Sequence, residues 1–171
     1  RARLREPIAI IGMSGRFPQS DDCDELWRHL AAGHDLIEPA ARWQGGAWSD
    51  GIDGPLCRHA GYVRDVDVFD PLFFRISRAD ATYMDPQQRL CLEESWKALE
   101  TAGYVGAAIA GRKCGVYIGC SGEDYTQLLP GDLPDAAMHG SSTALLSSRI
   151  AYHLDLHGPA MTVDTACSSG L

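Results

Sequence analysis

Gly158-Pro159-Ala160-Met161-Thr162-Val163-Asp164-Thr165-Ala166-Cys167-Ser168-Ser169-Gly170-Leu171 is the stretch whose reading decides the fold. His157-Gly158-Pro159 breaks whatever precedes it, and Met161 to Thr165 reads as a strand. Cys167 then sits among small residues, where a strand hands over to a helix. Thiolate, not thiol, is the nucleophilic form of cysteine, and the free N–H groups and partial positive charge of a helix N-terminus favour it. Position alone leaves two readings open: a nucleophile turn, or a small buried hydrophobe, which is what most cysteines are.

Working outward, two further buried strands are predicted. Ile8 to Ile11 is a short apolar run ended by Gly12, and Gly115-Val116-Tyr117-Ile118-Gly119 is the second run. The loop Gly12 to Pro18 is neither G-x-G-x-x-G nor a P-loop, so a tight structural turn is favoured over a phosphate cradle. Asp21 to Ala32 reads as a helix with Leu26, Trp27 and Leu30 on one face and Gly33 at C′. Pro39 to Tyr62 lacks periodicity and reads as a surface excursion. Val66 to Phe74 is expected to pack in the core around a turn at Asp70-Pro71. The strongest helix signal runs from Pro86 to Ala102. Asp85 suits the N-cap, Pro86 suits N1, and Gln88 stands at the N3 position of a capping box. Leu92, Trp96 and Leu99 make one apolar face, and Gly103 ends the helix. Ser142 to Asp155 is predicted helical, with Leu145, Leu146, Ile150 and Leu154 on its apolar side. Strands alternating with helices indicate an α/β layered architecture.

The 171 residues suffice for one ordinary core, and 45% hydrophobic with 22% charged residues excludes wholesale disorder. The formal charge of −8 disfavours nucleic acid as a partner. The one basic cluster, Arg1 to Arg5, is expected to be a linker remnant. No run approaches the length of a membrane span. The six cysteines form no C-x-x-C pair, which fits a reducing, cytoplasmic setting better than a disulfide framework. No metal-ligand spacing occurs, so no metal site is expected.

Asp164 to Gly170, preceded by Gly158-Pro159, resembles the nucleophile motif of β-ketoacyl synthases, in particular the ketosynthase domains of modular type I polyketide synthases. Four more segments agree in order. Glu6-Pro7-Ile8-Ala9-Ile10-Ile11-Gly12-Met13-Ser14-Gly15-Arg16-Phe17-Pro18 is similar to the family's opening. Phe69 to Phe74 and Met84-Asp85-Pro86-Gln87-Gln88-Arg89 resemble its middle signatures. Gly115 to Gly119 with Asp124-Tyr125, and Arg149-Ile150-Ala151-Tyr152, resemble further ones. Arg75 and Arg78 depart from the pattern: Gly and Pro are usual there. Ser148 and Gly170 depart as well.

The resemblance implies the thiolase-like fold, layered α-β-α-β-α, with residues 6–171 as the N-terminal portion of a ketosynthase domain and 1–5 as linker. It implies that Cys167 accepts an acyl chain from the phosphopantetheine arm of an acyl carrier protein, and that no cofactor is itself bound. A malonyl-type unit would then lose CO2 and attack the acyl-cysteine. The backbone N–H of Cys167 is one oxyanion donor on this reading. A homodimer, with other synthase domains in the same chain, is also implied. The family's H-G-T-G-T and N-I-G-H histidine motifs do not occur here. His29, His34, His59, His139, His153 and His157 are therefore expected to be surface or locally satisfied residues. This stretch alone is not expected to condense. A non-elongating, acyl-passing domain and an inactive scaffold that docks carrier proteins stand as alternatives. Cys120 is expected to be structural, Asp164 a turn-holding residue, and Ser142–Arg149 a candidate dimer contact.

Overall fold

The structure, a computed structural model, describes residues 7–39, 59–122, 124–129 and 135–170. The chain divides into two compact units, Ser14–Asp65 and Val66–Leu171 with Arg1–Met13.

In the first unit, α1 spans Cys23–Ala31. Asp22 caps it by accepting the Glu25 N–H at 2.7 Å. It ends as expected on Gly33 in the left-handed region (φ +71°), with the His34 N–H returning to the His29 carbonyl. Its apolar face is less covered than the sequence suggests: Leu26 is half-buried, and Trp27 and Leu30 are exposed. The short strands β1 (Glu38–Pro39) and β2 (His59–Ala60) pair antiparallel. Most of the expected excursion, residues 40–58, lies outside the described residues.

The second unit begins differently from expectation. Ile8 to Ile11 joins no ladder among the described residues, and Ile8, Ile10 and Ile11 are exposed. An apolar run records a surface suited to burial; pairing also needs a neighbouring strand edge within reach. Gly12 has a tertiary reason instead. A β-carbon there would collide with the Ala98 carbonyl oxygen and stand 2.9 Å from Ala102 Cβ.

The turn at Asp70-Pro71 forms as predicted, with Asp70 Oδ1 accepting the N–H groups of Leu72 and Phe73. Phe74 is buried, stacked on Phe69 at 5.4 Å between ring centroids. Arg75 closes this loop with φ +55°, while Ile76 N–H bonds the Pro71 carbonyl and Arg75 N–H that of Leu72. That is the Schellman arrangement, whose left-handed position favours glycine. The helix α2, Arg78–Tyr83, follows immediately. No helix is predicted there from the sequence, although Ser77-x-x-Asp80 announces one: Asp80 N–H donates to Ser77 Oγ, which donates to Asp80 Oδ2 at 2.7 Å. Arg78 is thus an N1 residue after an extended Ser77 (φ −66°, ψ 150°), where proline fits. The two departures from the family pattern therefore fall where its glycine and proline suit the local backbone. Combining Arg75→Gly with Arg78→Pro is expected to stabilise the fold by about 1 kcal/mol, after the unfolded-state entropy of glycine offsets part of the relieved strain. Thermal denaturation of the double variant checks this.

α3 runs Pro86–Thr101 with Leu92 fully buried and Trp96 and Leu99 packed on the core; Gly103 (φ +77°) ends it. β3 is Val116–Gly119. α4 (Asp135–Ser141) and α5 (Ala144–His153) cross over to β4 (Ala160–Val163). β3 and β4 pair in parallel, Val116 opposite Ala160 and Gly119 opposite Val163. α5 lies on this two-stranded sheet and α3 packs against α5. Leu146, Ile150 and Leu154 join Val116, Phe74, Ile76, Met84 and Leu92 in the core. β3 is only half-buried, not buried as expected, and β4 is mostly exposed. Val116 faces the core, while Tyr117 and Met161 are exposed because α5 lies on one face of the sheet.

Candidate active site

β4 delivers the chain to Cys167, and two sets of contacts fix the strand. Thr162 Oγ1 donates to Ser147 Oγ at 3.0 Å and accepts the Ser147 N–H, tying β4 to a buried serine of α5. At the other edge, Cys120 N–H donates to the Val163 carbonyl at 3.1 Å.

Beyond Val163 the chain folds into a hydrogen-bonded turn. Asp164 Oδ1 accepts the Ala166 N–H at 3.0 Å, so Asp164 holds the turn as its sequence position suggests. Ser168 Oγ lies 2.9 Å from the Thr165 carbonyl oxygen, to which it donates. Ser169 Oγ accepts the Thr165 N–H and donates to the Ala166 carbonyl, each at 2.8 Å. Ala166 itself is left-handed, φ +54°. The Cys167 thiol is free and exposed, and its N–H has no acceptor among the described residues. The expected helix start is not what the described residues form. Their bonds are i to i+3, because the Ser169 N–H and hydroxyl both take the Ala166 carbonyl that an α-helix would offer to residue 170.

The seat of this turn is the end of β3. A β-carbon at Gly119 would stand 2.5 Å from the Ser169 carbonyl oxygen. The loop after Gly119 is held in turn by α3: Cys120 Sγ donates to Gln87 Oε1 at 3.0 Å, and Gln87 Nε2 reaches the Gly122 carbonyl at 3.4 Å. Cys120 is thus structural, as expected.

Gln87 belongs to a polar hub at the start of α3, which reads in the sequence as a helix cap within a family signature, without its tertiary partners. Asp85 does cap α3, accepting the Gln87 N–H at 2.8 Å, and burial pushes its carboxyl above the usual range against that hydrogen bond. Gln88 makes no capping box. The Asp85 N–H goes to the Gly140 carbonyl instead. Gln88 turns its amide to the Ser142 carbonyl (3.0 Å) and accepts from Arg149 Nε (2.8 Å). Tertiary acceptors on α4 and α5 outcompete the local one. Arg89 is buried, donates twice to the Met84 carbonyl at 2.9 and 2.7 Å, and meets the Tyr125 hydroxyl at 3.0 Å. Burial lowers the Arg149 pKa from its ordinary value. Nothing in the local spacing of Asp85-Pro86-Gln87-Gln88-Arg89 names Tyr125, Gly140, Ser142 or Arg149, which lie tens of residues away.

The histidines stay outside this turn. His29 meets Ser20 Oγ at 2.9 Å and His157 meets Asp155 at 3.0 Å. His153 is half-buried, and desolvation followed by Arg149 lowers its pKa. Among the described residues no group of three or more His, Cys, Asp or Glu could hold a metal ion. No described helix is long and apolar enough to cross a membrane.

The family model described as the β-ketoacyl synthase N-terminal domain matches residues 5–171. The chain belongs to the β-ketoacyl synthase family. It is 48% identical over 168 residues to polyketide synthase PksM of Bacillus subtilis, a match covering 97% of this chain and 4% of that protein. It is 44% identical to erythronolide synthase EryA2 of Saccharopolyspora erythraea, covering 97% of this chain and 5% of that one. The ketosynthase from module 6 of the Bacillus subtilis bacillaene synthase superposes with TM-score 0.82 at 39% identity, over 95% of this chain and 27% of that one. The oxazolomycin ketosynthase domain OzmH KS7 of Streptomyces albus gives TM-score 0.77 at 34% identity, over 95% and 30%. The expected thiolase-like α/β fold, in its N-terminal portion, agrees with these ketosynthase neighbours. The chain spans less than a third of the solved ketosynthases and a few per cent of the polyketide synthases.

Proposed function

We propose that this chain supplies the acyl-accepting part of a ketosynthase that works within a polyketide synthase. Cys167 takes an acyl chain from the phosphopantetheine thioester of an acyl carrier protein. Its sulfur adds to the thioester carbonyl and the π pair moves to oxygen. Collapse of that oxyanion expels the pantetheine thiol, which leaves with the proton that Cys167 gave up. In the following step a malonyl-type unit on a carrier protein loses CO2. The resulting enolate carbon displaces the cysteine sulfur and gives a β-ketoacyl product. The observation that carries this reading is the exposed Cys167 thiol on a pinned turn at the end of β4, in a chain related to polyketide synthases along its length.

On the same reading, residues 6–171 are the N-terminal part of the ketosynthase domain and 1–5 belong to a linker. The full domain pairs as a homodimer, meets other synthase domains of its own polypeptide, and works in the cytoplasm. The phosphopantetheine arm comes with the partner, not as a resident cofactor.

The test uses the full-length protein with an acyl carrier protein loaded with a short acyl chain. One acyl mass is expected on the peptide containing Cys167. Adding malonyl-carrier protein is then expected to release one CO2 per acyl chain and lengthen it by two carbons. Loading without CO2 release would replace condensation with simple acyl passing, and absence of loading would leave the docking scaffold.

A further inference from the structure

We infer that Ser169 is a positioning residue that aims the Cys167 backbone N–H at the forming oxyanion; this rests on the acyl-accepting role proposed for Cys167. The Ala166 carbonyl and the Cys167 N–H belong to one planar peptide unit. In a trans peptide they point in opposite directions, so whatever holds the carbonyl also aims the N–H. Ser169 holds that carbonyl twice, through its N–H at 3.0 Å and through its hydroxyl at 2.8 Å. The same hydroxyl accepts the Thr165 N–H at 2.8 Å, which anchors the pin to the preceding turn residue.

The peptide on the other side of Ala166 is fixed as well, because its N–H goes to Asp164 Oδ1. With both flanking peptides held, Ala166 stays at φ +54°, a conformation that costs an alanine energy and is not kept without such contacts. A contact from a distant part of the chain completes the arrangement. The Ser169 carbonyl lies so close to Gly119 that a β-carbon there would reach within 2.5 Å of its oxygen and 2.9 Å of its carbon. The end of β3 thus sets where the turn sits, and the Ser169 hydroxyl sets how its central peptide is rotated. The Cys167 N–H has no acceptor among the described residues and is therefore open to a forming oxyanion.

An N–H donor serves the acyl step only if it is already aimed where negative charge will develop. Alkylation of the same sulfur by iodoacetamide displaces iodide and forms no oxyanion, so it does not need the donor. This difference separates aiming from general disturbance of the turn. In the full-length protein, acetyl-N-acetylcysteamine loads Cys167 and intact mass spectrometry follows the rate. Ser169→Ala is expected to lower the maximal loading rate about tenfold, since the Ser169 N–H bond to Ala166 survives. The half-saturating thioester concentration and the iodoacetamide rate are expected to stay unchanged. Ser169→Thr, which keeps the hydroxyl, restores loading. Gly119→Ala tests the seat independently and is expected to slow loading more than alkylation. Loading by Ser169→Ala at the unmodified rate overturns the inference while leaving the role of Cys167 intact. So does an equal fall in loading and alkylation that threonine does not restore. Acetyl label that persists on Cys167→Ala overturns the acyl-accepting role itself.

Discussion

Cys167→Ala is expected to abolish covalent acyl loading, by at least about a thousandfold, while the protein melts within about a degree of the unsubstituted chain. The two halves of this expectation have separate grounds. The thiol is exposed, so its removal deletes no core contact and opens no cavity. The turn that carries it is held by Asp164, Ser168 and Ser169, none of whose hydrogen bonds uses the sulfur. Two of the other described cysteines, Cys120 and Cys91, offer poor substitutes. Cys120 is buried with its sulfur on Gln87, and burial pushes the Cys91 thiol up to about 11, which leaves it protonated at the pH of the assay. Intact-mass analysis after incubation with an acyl thioester reads the loading, and thermal denaturation reads the fold. Retained acyl label in the variant would remove Cys167 from the mechanism.

The second large effect is structural. Gly158→Ala is expected to destabilise the second unit by about 3 kcal/mol or more. A β-carbon at Gly158 would collide with the Cys114 carbonyl group and stand 2.6 Å from the Gly115 nitrogen. All of these are backbone atoms, so no side-chain rotation relieves the clash. The segment is also pinned on both sides: His157 N–H bonds the Arg112 carbonyl at 2.8 Å, and Val116 N–H bonds the Pro159 carbonyl at 2.8 Å. Moving Gly158 outward therefore pulls β4 from β3 at the Val116–Ala160 register, and with it the strand that delivers Cys167. Hydrogen exchange at Val116 to Gly119, followed beside thermal denaturation, is expected to show both the lost stability and its location. Exchange protection equal to that of the parent chain would show that the backbone yields at little cost.

What the sequence determined by itself is the local grammar and the kinship. Leu92, Trp96 and Leu99 lie on one helical face at a spacing fixed by the helix itself. Asp85, Pro86 and Gly103 cap and stop α3 because each acts within a few residues of its own position. The runs Gly115 to Gly119 and Met161 to Thr165 read as strands and form over Val116–Gly119 and Ala160–Val163, and the ordered signatures around Cys167 identify the family. Arg75 and Arg78 were legible as departures, though only the left-handed φ of Arg75 and the N1 place of Arg78 give them a physical meaning.

The tertiary structure decided everything that depends on a distant partner. Gln88 had the spacing for a capping box and instead serves Ser142 and Arg149. Ile8 to Ile11 had the composition of a buried strand and pairs with nothing among the described residues. Gly12, Gly119, Gly140 and Gly158 mark places where one backbone leaves no room for a β-carbon of another. A side chain's chemistry fixes which partners it can accept, but only the path of the chain brings one of them within 3 Å. For the same reason Cys167 could be named from its neighbours in sequence, while Ser169 emerged only once its hydroxyl lay between Thr165 and Ala166 and its carbonyl lay against Gly119.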